Sequence, residues 1–309
     1  MIRFIAWRLA QFPLVLAIIY LITFMLAWVA PGSPFDRTER KVPQAVLNQM
    51  EEEYHARHWY QFLAYYPVRV LTTGDFGPSM AYLDWSVNDI LKAALPVSMA
   101  VGFAALGIAI TMGSILGVLA AVRRDGVFDY VSLAMALVGI SLPGFVAASV
   151  LLAVFSDTLG WFPSGGWGTW RQLVLPATAL SLLPMAYIAR LSRAAMLDTL
   201  GSDFVRTARA KGLSRGKVVW KHAFRIAFLP VFSYLGPAAA ETLTGSFVVE
   251  QVFNLPGLGQ HFVNAVINRD QTLILGTVMV YSTFLLTLNL LVDIGYAFID
   301  PRIDVTAGG

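Results

Sequence analysis

The chain has 309 residues, of which 57% are hydrophobic and 13% are charged, and its formal net charge is +3. Because about 25% of the residues of a soluble domain are charged, this composition excludes an ordinary soluble protein, and the small net charge gives no support to nucleic-acid binding. The absence of cysteine excludes a disulfide framework and a thiolate metal site.

Charged residues are missing from long blocks of the sequence. A bilayer core about 30 Å thick needs about 20 apolar residues in a helix. Five blocks meet or approach this length without a charge, and a sixth is interrupted only by Glu241. Helix is the structure that satisfies an open backbone inside lipid, so we expect an all-α membrane protein with six transmembrane helices. The predicted helices cover about residues 9–30, 94–121, 130–155, 172–190, 229–250 and 271–296.

The distribution of basic residues predicts how these helices are oriented. Arg3 and Arg8 precede the first helix, which favours an inside N-terminus. With six spans, fourteen Lys and Arg fall on the inner side and eight on the outer side. We therefore expect both termini inside, with a tail and first helix at 1–30, an outer segment at 31–92 and a core of five helices at 93–309.

The outer segment is predicted to contain one amphipathic helix, starting at Pro43 and lying near the outer face of the membrane. Its apolar positions recur at helical spacing; they are Val46, Leu47, Met50, Tyr54 and Phe62. His55 and His58 lie beside glutamates at 51–53, an arrangement that would suit a metal. The polar side of a surface helix explains these residues as well, and we expect no metal site.

Two patterns inside the predicted spans indicate special helix geometry. Pro143-Gly144 should kink or break the third span, because proline lacks a backbone donor and clashes with the preceding turn. Gly113 and Gly117 are spaced to allow close approach of a neighbouring helix.

The chain shows no energy source for transport. The nearest string to a phosphate loop, at 212–218, has a spacer one residue short and no Ser or Thr after Lys217. Ion-coupled carriers usually hold several ionisable residues inside their spans, whereas here Glu241 lies near mid-membrane and Asp293 nearer the inner end. We expect neither catalytic residues nor a bound cofactor. The pattern is that of a conduit without its own energy source, which either needs none, as a channel or a carrier that works alone, or borrows one from a partner.

A basic segment at 190–225 separates the fourth and fifth spans and holds nine Lys or Arg against two acids. Ser202 or Asp203 can cap a short helix, and Gly212 stands where a C′ glycine would end it. A two-turn helix with an aromatic knob fits a groove on another protein. On this helix one face is predicted to carry Phe204, Thr207, Ala208 and Lys211, with Arg206 and Ala210 opposite.

A second helix is predicted to follow, with Ser214 as its cap. Lys217, Lys221 and Arg225 form a basic stripe beside a broad apolar face, as in an interfacial helix leading into the fifth span. An ordinary positive-inside loop is the simpler interpretation. An anchoring protein, whose basic loop recruits a cytosolic partner or anionic lipid, is a further alternative.

The stretch DFVRTARAKGLSRGKVVWKHAFRIAFLP resembles the cytoplasmic loop, often called the EAA loop, of ATP-binding-cassette importer permeases. Arg206-Thr207-Ala208 stands where other branches have Glu-Ala-Ala, and Gly212 matches the loop glycine. Further stretches resemble the B-type membrane subunit of bacterial oligopeptide or dipeptide importers. They are PGSPF (31–35), GDFGPS (74–79), VNDI (87–90), LPVS (95–98), GGWG (165–168), VFNLPGLGQHFVNAVINRD (252–270) and DIGYAFIDPRI (293–303).

The resemblance implies the type I importer permease fold, also called MetI-like, and a place in the bacterial inner membrane among its lipids. It implies a peptide substrate, a second permease subunit of the C type, two ATPase subunits that bind ATP and magnesium, and an extracytoplasmic peptide-binding protein. The chain itself would not be an enzyme. Related permeases import nickel, heme or antimicrobial peptides, so the cargo stays open. The ATPases would dock within the loop at 190–228, on Phe204, Arg206, Thr207, Ala208, Lys211 and Gly212.

Glu241 departs from the family pattern, in which a small or apolar residue is usual at this position. A carboxylate near mid-membrane is costly unless it is paired, hydrated or protonated. We hypothesise that Glu241 faces the pathway between two permeases and contacts a peptide amine; the alternative is a polar residue hydrogen-bonded inside the bundle.

Overall fold

The computed structural model of the chain describes residues 2–29, 58–80, 82, 85–244 and 246–299. Within this part the regular structure is helical, apart from an isolated bridge between Pro78 and Ser86. In chain order the helices are α1 Ile2–Val29, α2 Trp59–Thr73, α3 Val87–Val122, α4 Val127–Ser141, α5 Gly144–Thr158, α6 Trp170–Leu200, α7 Asp203–Ala210, α8 Arg215–Ala227, α9 Leu229–Thr244, α10 Ser246–Val252, α11 Leu258–Asn268 and α12 Gln271–Ile299.

Among the described residues, four helices are long and apolar enough to cross a membrane, namely α1, α3, α6 and α12. Two bent pairs raise the number to six if each pair forms one span. The pair α4 and α5 bends by 110° and the pair α8 and α9 by 54°. The all-helical membrane fold is therefore confirmed, with four to six candidate spans.

The predicted break in the third span is confirmed. Helix α4 ends at Ser141 and α5 begins at Gly144, with Pro143 at the position before the first helical residue. Proline suits the start of a helix because it has no N–H to leave unsatisfied there, whereas inside a helix it removes a hydrogen bond.

Helix α6 organises the first of two compact units, which contains the described residues among 99–255 and 287–299. Helices α4, α5, α9 and α10 all pack against α6. The predicted close approach at the α3 glycines also occurs here. A Cβ on Gly113 would lie 2.8 Å from the carbonyl oxygen of Met185, and one on Gly117 would lie 2.4 Å from that of Ala189. These glycines thus allow the α3 backbone to touch α6.

The second unit contains the described residues among 2–98 and 256–286. Its α1 and α2 meet through buried aromatic rings of Tyr20, Phe24, Phe62 and Tyr66. The Tyr20 hydroxyl donates to the carbonyl of Leu63 at 3.0 Å. Phe62, an apolar position of the predicted amphipathic helix, is thus buried in α2, while the rest of that prediction between Pro43 and Tyr54 lies outside the described residues.

Candidate functional site

The short helix predicted in the basic segment is present as α7, Asp203–Ala210. It follows Ser202, whose backbone is extended but whose hydroxyl donates to the carbonyl of Thr199 at 2.5 Å instead of capping α7. The predicted side-chain cap at Ser202 is therefore wrong. The predicted glycine end is confirmed, since Gly212 has φ 77° and the N–H of Leu213 donates back to the carbonyl of Ala208 at 3.3 Å.

One side of α7 is seated on the first unit. Val205 is 0% exposed and Ala208 is 8% exposed. Both belong to an apolar cluster, named here the α7 seat, that joins α7 to the ends of α3 and α6 and to α8. Its other buried members are Val118, Ala121, Met196, Val218, Val219, Ala223 and Ala227. A two-turn helix is unstable alone, so burial in this seat holds α7 in place.

The rest of the α7 surface is open. Phe204, beside the buried stripe, is 41% exposed, and Arg206, Thr207, Lys211 and Gly212 are exposed as well. Five of the six residues that the sequence proposed for docking are therefore accessible. Ala208 is the exception: the sequence grouped it with Phe204, but it faces inward because Val205 and Ala208, one turn apart, form the buried stripe.

Helix α8 fixes the other end of the loop. The Arg215 guanidinium donates to the carbonyl of Val122, the last residue of α3, at 3.1 Å. The predicted basic stripe of Lys217, Lys221 and Arg225 is exposed, as expected.

The predicted apolar face of α8 is divided in two. A π-helical segment at Val218–Ala223 changes the periodicity, so Val219 and Ala223 enter the α7 seat while Trp220 and Ile226 stay exposed. Single π turns occur often at functional sites.

An ion pair that the sequence did not reveal ties α4 to α6. The Arg193 Nε donates to Asp129 Oδ1 at 2.5 Å and its Nη2 donates to Oδ2 at 2.7 Å. The Asp129 side chain is 3% exposed and also accepts the N–H of Asp125 at 3.0 Å, in the turn before α4. Bidentate pairing of this kind fixes geometry as well as charge, so it holds the end of α6 that leads into α7.

The scattered motif stretches meet in polar contacts within the second unit. The hydroxyl of Ser79, in GDFGPS, donates to the buried carboxylate of Asp270, the last residue of the NRD stretch. The other carboxylate oxygen of Asp270 accepts the N–H of Leu273 at 3.0 Å, at the start of α12. The Tyr66 hydroxyl donates to the carbonyl of Thr272 at 3.1 Å. These residues therefore connect α2, the turn before α3 and α12.

Two further motif residues have the same kind of role. Asn88, in VNDI, accepts the N–H of Phe76 at 2.8 Å and donates to the carbonyl of Gly74 at 2.7 Å. Ser98, in LPVS, accepts the N–H of Leu258 at 2.9 Å. Both contacts hold loops onto α3.

In the first unit, GGWG meets VFN. The N–H of Gly166 donates to the carbonyl of Phe253 at 3.1 Å, and a Cβ on Gly165 would lie 2.2 Å from that oxygen. Glycine is thus required by close backbone approach at Gly165.

Two hypotheses from the sequence fall outside the described residues. Glu241 belongs to α9, but its side chain is not among those described. The histidine at 55 and the glutamates at 51–53 also lie outside. In the described part of the chain, no group of three His, Asp or Glu side chains could hold a metal ion.

Comparison with known proteins gives a consistent family. Residues 113–305 match the family described as "Binding-protein-dependent transport system inner membrane component". The chain is 43% identical over 307 residues to "Oligopeptide transport system permease protein OppB" of Haemophilus influenzae, covering 98% of this chain and 99% of that protein. It is 41% identical over 309 residues to "Dipeptide transport system permease protein DppB" of Bacillus subtilis, covering 100% of both.

Solved structures support the fold alone. A structure titled "Inward facing conformations of the MetNI methionine ABC transporter: CY5 native crystal form" matches 68% of this chain and 96% of that chain, with TM-score 0.53 and 18% identity. A second, titled "Crystal structure of an amino acid ABC transporter with histidines", also has TM-score 0.53 and 18% identity, and covers 68% of this chain and 94% of that one.

Replacing Gly212 should loosen the end of α7. At φ 77° an alanine is strained by about 1 kcal/mol. This strain increases the population of chains in which the end of α7 is locally unfolded by about fivefold. We expect Gly212→Ala to be cut by trypsin in this segment about five times faster than the parent chain. Gly216→Ala is the matched control, since a Cβ there meets no atom within 4 Å; equal cleavage of both variants would contradict the assignment.

Proposed function

This chain belongs to the family of inner membrane components of binding-protein-dependent transport systems, and we propose that it is the permease subunit of an ATP-driven importer of oligopeptides or dipeptides. The peptide cargo is carried over from the names of relatives at 41–43% identity that match nearly the whole chain. The chain is a transport subunit and not an enzyme, so ATP and magnesium would be bound by partner subunits.

The proposed topology places both termini and the α7 segment on the inner side of the bacterial inner membrane. The excess of basic residues at 190–225 supports this orientation, because positively charged segments are retained on the cytoplasmic side. The exposed stripe of Lys217, Lys221 and Arg225 would then lie at the inner membrane surface.

An importer of this family needs a partner permease, an ATPase and a binding protein. In finer detail, we propose a C-type permease beside this chain, two ATPase subunits below it and an extracytoplasmic peptide-binding protein above it. One observation supports the ATPase contact: buried Val205 and Ala208 hold α7 in place, and Phe204 beside them is 41% exposed. Such an exposed aromatic knob suits a groove on another chain.

The contacts around α7 supply a route for mechanical coupling. When the ATPase groove that holds Phe204 moves, α7 and its seat move with it. The ends of α3, α6 and α8, which share this seat, then move as well. The bond from Arg215 to Val122 and the ion pair between Asp129 and Arg193 extend this connection to α3 and α4. Closure of the ATPases would thus turn the helices as rigid bodies and change the side from which the pathway is open.

The proposed role of Glu241 is to contact the peptide amine in the pathway. Its support is its place in an otherwise uncharged span, where a carboxylate is costly and is therefore a functional candidate.

Removal of the Phe204 ring should uncouple ATP hydrolysis from uptake. Loss of an aromatic anchor weakens a docking contact by about 2 kcal/mol, or ~30-fold in Kd. In the assembled complex in proteoliposomes, we expect Phe204→Ala to lower the number of peptides imported per ATP by at least about tenfold. The control Trp220→Ala removes an exposed ring of α8 outside α7 and should keep the parent ratio; parent-like coupling in Phe204→Ala would contradict the proposal.

Glu241→Gln tests the pathway role. The amide keeps the shape of the side chain but loses the charge that would hold an ammonium group. Loss of about 1.4 kcal/mol of binding free energy should lower uptake of peptides with a free N-terminus by about tenfold. N-acetylated peptides, which lack that charge, should be affected little. Unchanged uptake of all free peptides would remove Glu241 from the cargo contact.

A further inference from the structure

A groove of about 450 Å³ runs along α6 beside α4, in the first unit. It lies next to the ion pair of Asp129 and Arg193, at the end of α6 that leads into α7. Its lining residues are Leu133, Tyr187, Arg190, Leu191, Arg193 and Ala194. None of them has a part in the docking face of α7.

Two polar groups in this groove have no hydrogen-bond partner among the described residues. Arg190 is exposed and forms neither a hydrogen bond nor an ion pair there. The Tyr187 ring packs against Tyr234 with 5.6 Å between ring centroids, but its hydroxyl has no hydrogen-bond partner in that part of the chain. Arg193, by contrast, already has the Asp129 carboxylate. The Arg190 guanidinium can thus attract an anion, and the nearby Tyr187 hydroxyl can donate a hydrogen bond to that anion.

The walls of the groove are apolar. Leu133, Leu191 and Ala194 contribute no side-chain donor or acceptor. Beyond Leu133, α4 stays apolar and exposed at Met135, Leu137 and Val138. The ligand that fits has an anionic end and a long apolar part.

The positions of these groups along the helices match the depths of a lipid head group and its acyl chain in one leaflet. Helices α4 and α6 run antiparallel, since Asp129 meets Arg193 while Gly139 lies against Leu182. At 1.5 Å per residue, Arg190 lies about 4.5 Å and Tyr187 about 9 Å further from the α7 end of α6 than Arg193 does. Leu191 and Ala194 lie on the α7 side of Arg190, so the apolar surface that continues from Arg190 and Tyr187 toward the middle of the span is the exposed part of α4 at Leu137 and Val138.

We propose that this groove binds an anionic phospholipid of the inner leaflet, with its head group on Arg190 and Tyr187 and an acyl chain along Leu133 and the exposed face of α4. Basic pockets between spans on the cytoplasmic side suit such head groups. A translocated peptide fits less well, because its backbone needs hydrogen-bond partners that the leucine and alanine walls lack. The proposal rests on the inner placement of the α7 end given above, but not on the nature of the cargo.

The test uses the assembled complex in detergent with dioleoyl phosphatidylglycerol, and dioleoyl phosphatidylcholine for comparison, counted by native mass spectrometry. The parent complex should retain phosphatidylglycerol preferentially. Arg190→Gln should weaken this binding about fivefold, the effect expected of one basic residue at an anionic surface, and Arg190→Lys should restore most of it. Arg124→Gln removes an exposed charge near the same end, outside the groove, and should bind as the parent does.

A second variant covers the case in which Arg190→Gln does not assemble. Tyr187→Phe removes only the hydroxyl and should weaken phosphatidylglycerol binding about threefold, as expected for one hydrogen bond.

Three results would overturn the proposal. The first is parent-like phosphatidylglycerol binding in Arg190→Gln, or in Tyr187→Phe if that variant alone assembles. The second is an equal loss in Arg124→Gln, which would indicate general surface charge. The third is an Arg190→Gln complex that binds the lipid as the parent does but needs more peptide for half-maximal uptake in either phospholipid. This result would assign the groove to a carboxylate of the cargo. A parent complex that binds the lipid but imports no peptide would reject the proposed function and leave the lipid site standing.

Discussion

Burial of Val205 and Ala208 in the α7 seat is the contact on which the account of this chain depends. A helix of eight residues does not persist in water without tertiary packing. Full burial of one valine side chain contributes about 1.5–3 kcal/mol, so Val205 supplies one part of the packing that holds these two turns. The same contact sets the orientation of α7: with Val205 and Ala208 inward, Phe204 lies beside the buried stripe and is 41% exposed at its edge.

Among the described residues, polar contacts add to the apolar packing that connects this seat to the spans. Arg193 and Asp129 join α6 to α4, and Arg215 joins α8 to the last carbonyl of α3. In a bilayer there is little hydrophobic force between helices, so close backbone approach and polar pairs carry more of the association. The glycines at 113 and 117 provide the close approach of α3 to α6. The result is a rigid base for α7, the property required of a segment that transmits force.

Local features of this fold could be predicted from the sequence because they depend on one residue type. Proline at 143 breaks the third span, and Gly212 ends α7 in the left-handed region. The periodicity also placed Phe204 and Thr207 on one side of a short helix. It could not decide which side faces inward, because this depends on a seat built from residues up to about 90 positions away, and so Ala208 was assigned to the docking face although it is buried. The π turn in α8 likewise divided a face that a regular helical period kept whole.

Long-range polar contacts could not be predicted from the sequence for a different reason. Asp129 and Arg193 are 64 residues apart, and Ser79 and Asp270 are 191 apart; no spacing rule connects them. The motif stretches were recognised by resemblance, but their physical role became visible only when Asn88, Ser98 and Asp270 were seen to hold loops in place. The count of basic residues at 190–225 likewise could not show that Arg193 is paired with Asp129 or that Arg190 lines a groove.

The central claim, that α7 contacts an ATPase from the inner side, is tested most directly by site-specific crosslinking. The chain has no cysteine, so Thr207→Cys, on the exposed surface of α7, provides a single thiol for a short bifunctional crosslinker in the assembled complex and keeps the Phe204 ring. The account predicts a crosslink to the ATPase subunit, and protection of this thiol from a membrane-impermeant maleimide added outside intact cells. Labelling from outside, or a thiol on the inner side that crosslinks to no ATPase in an active complex, would contradict it.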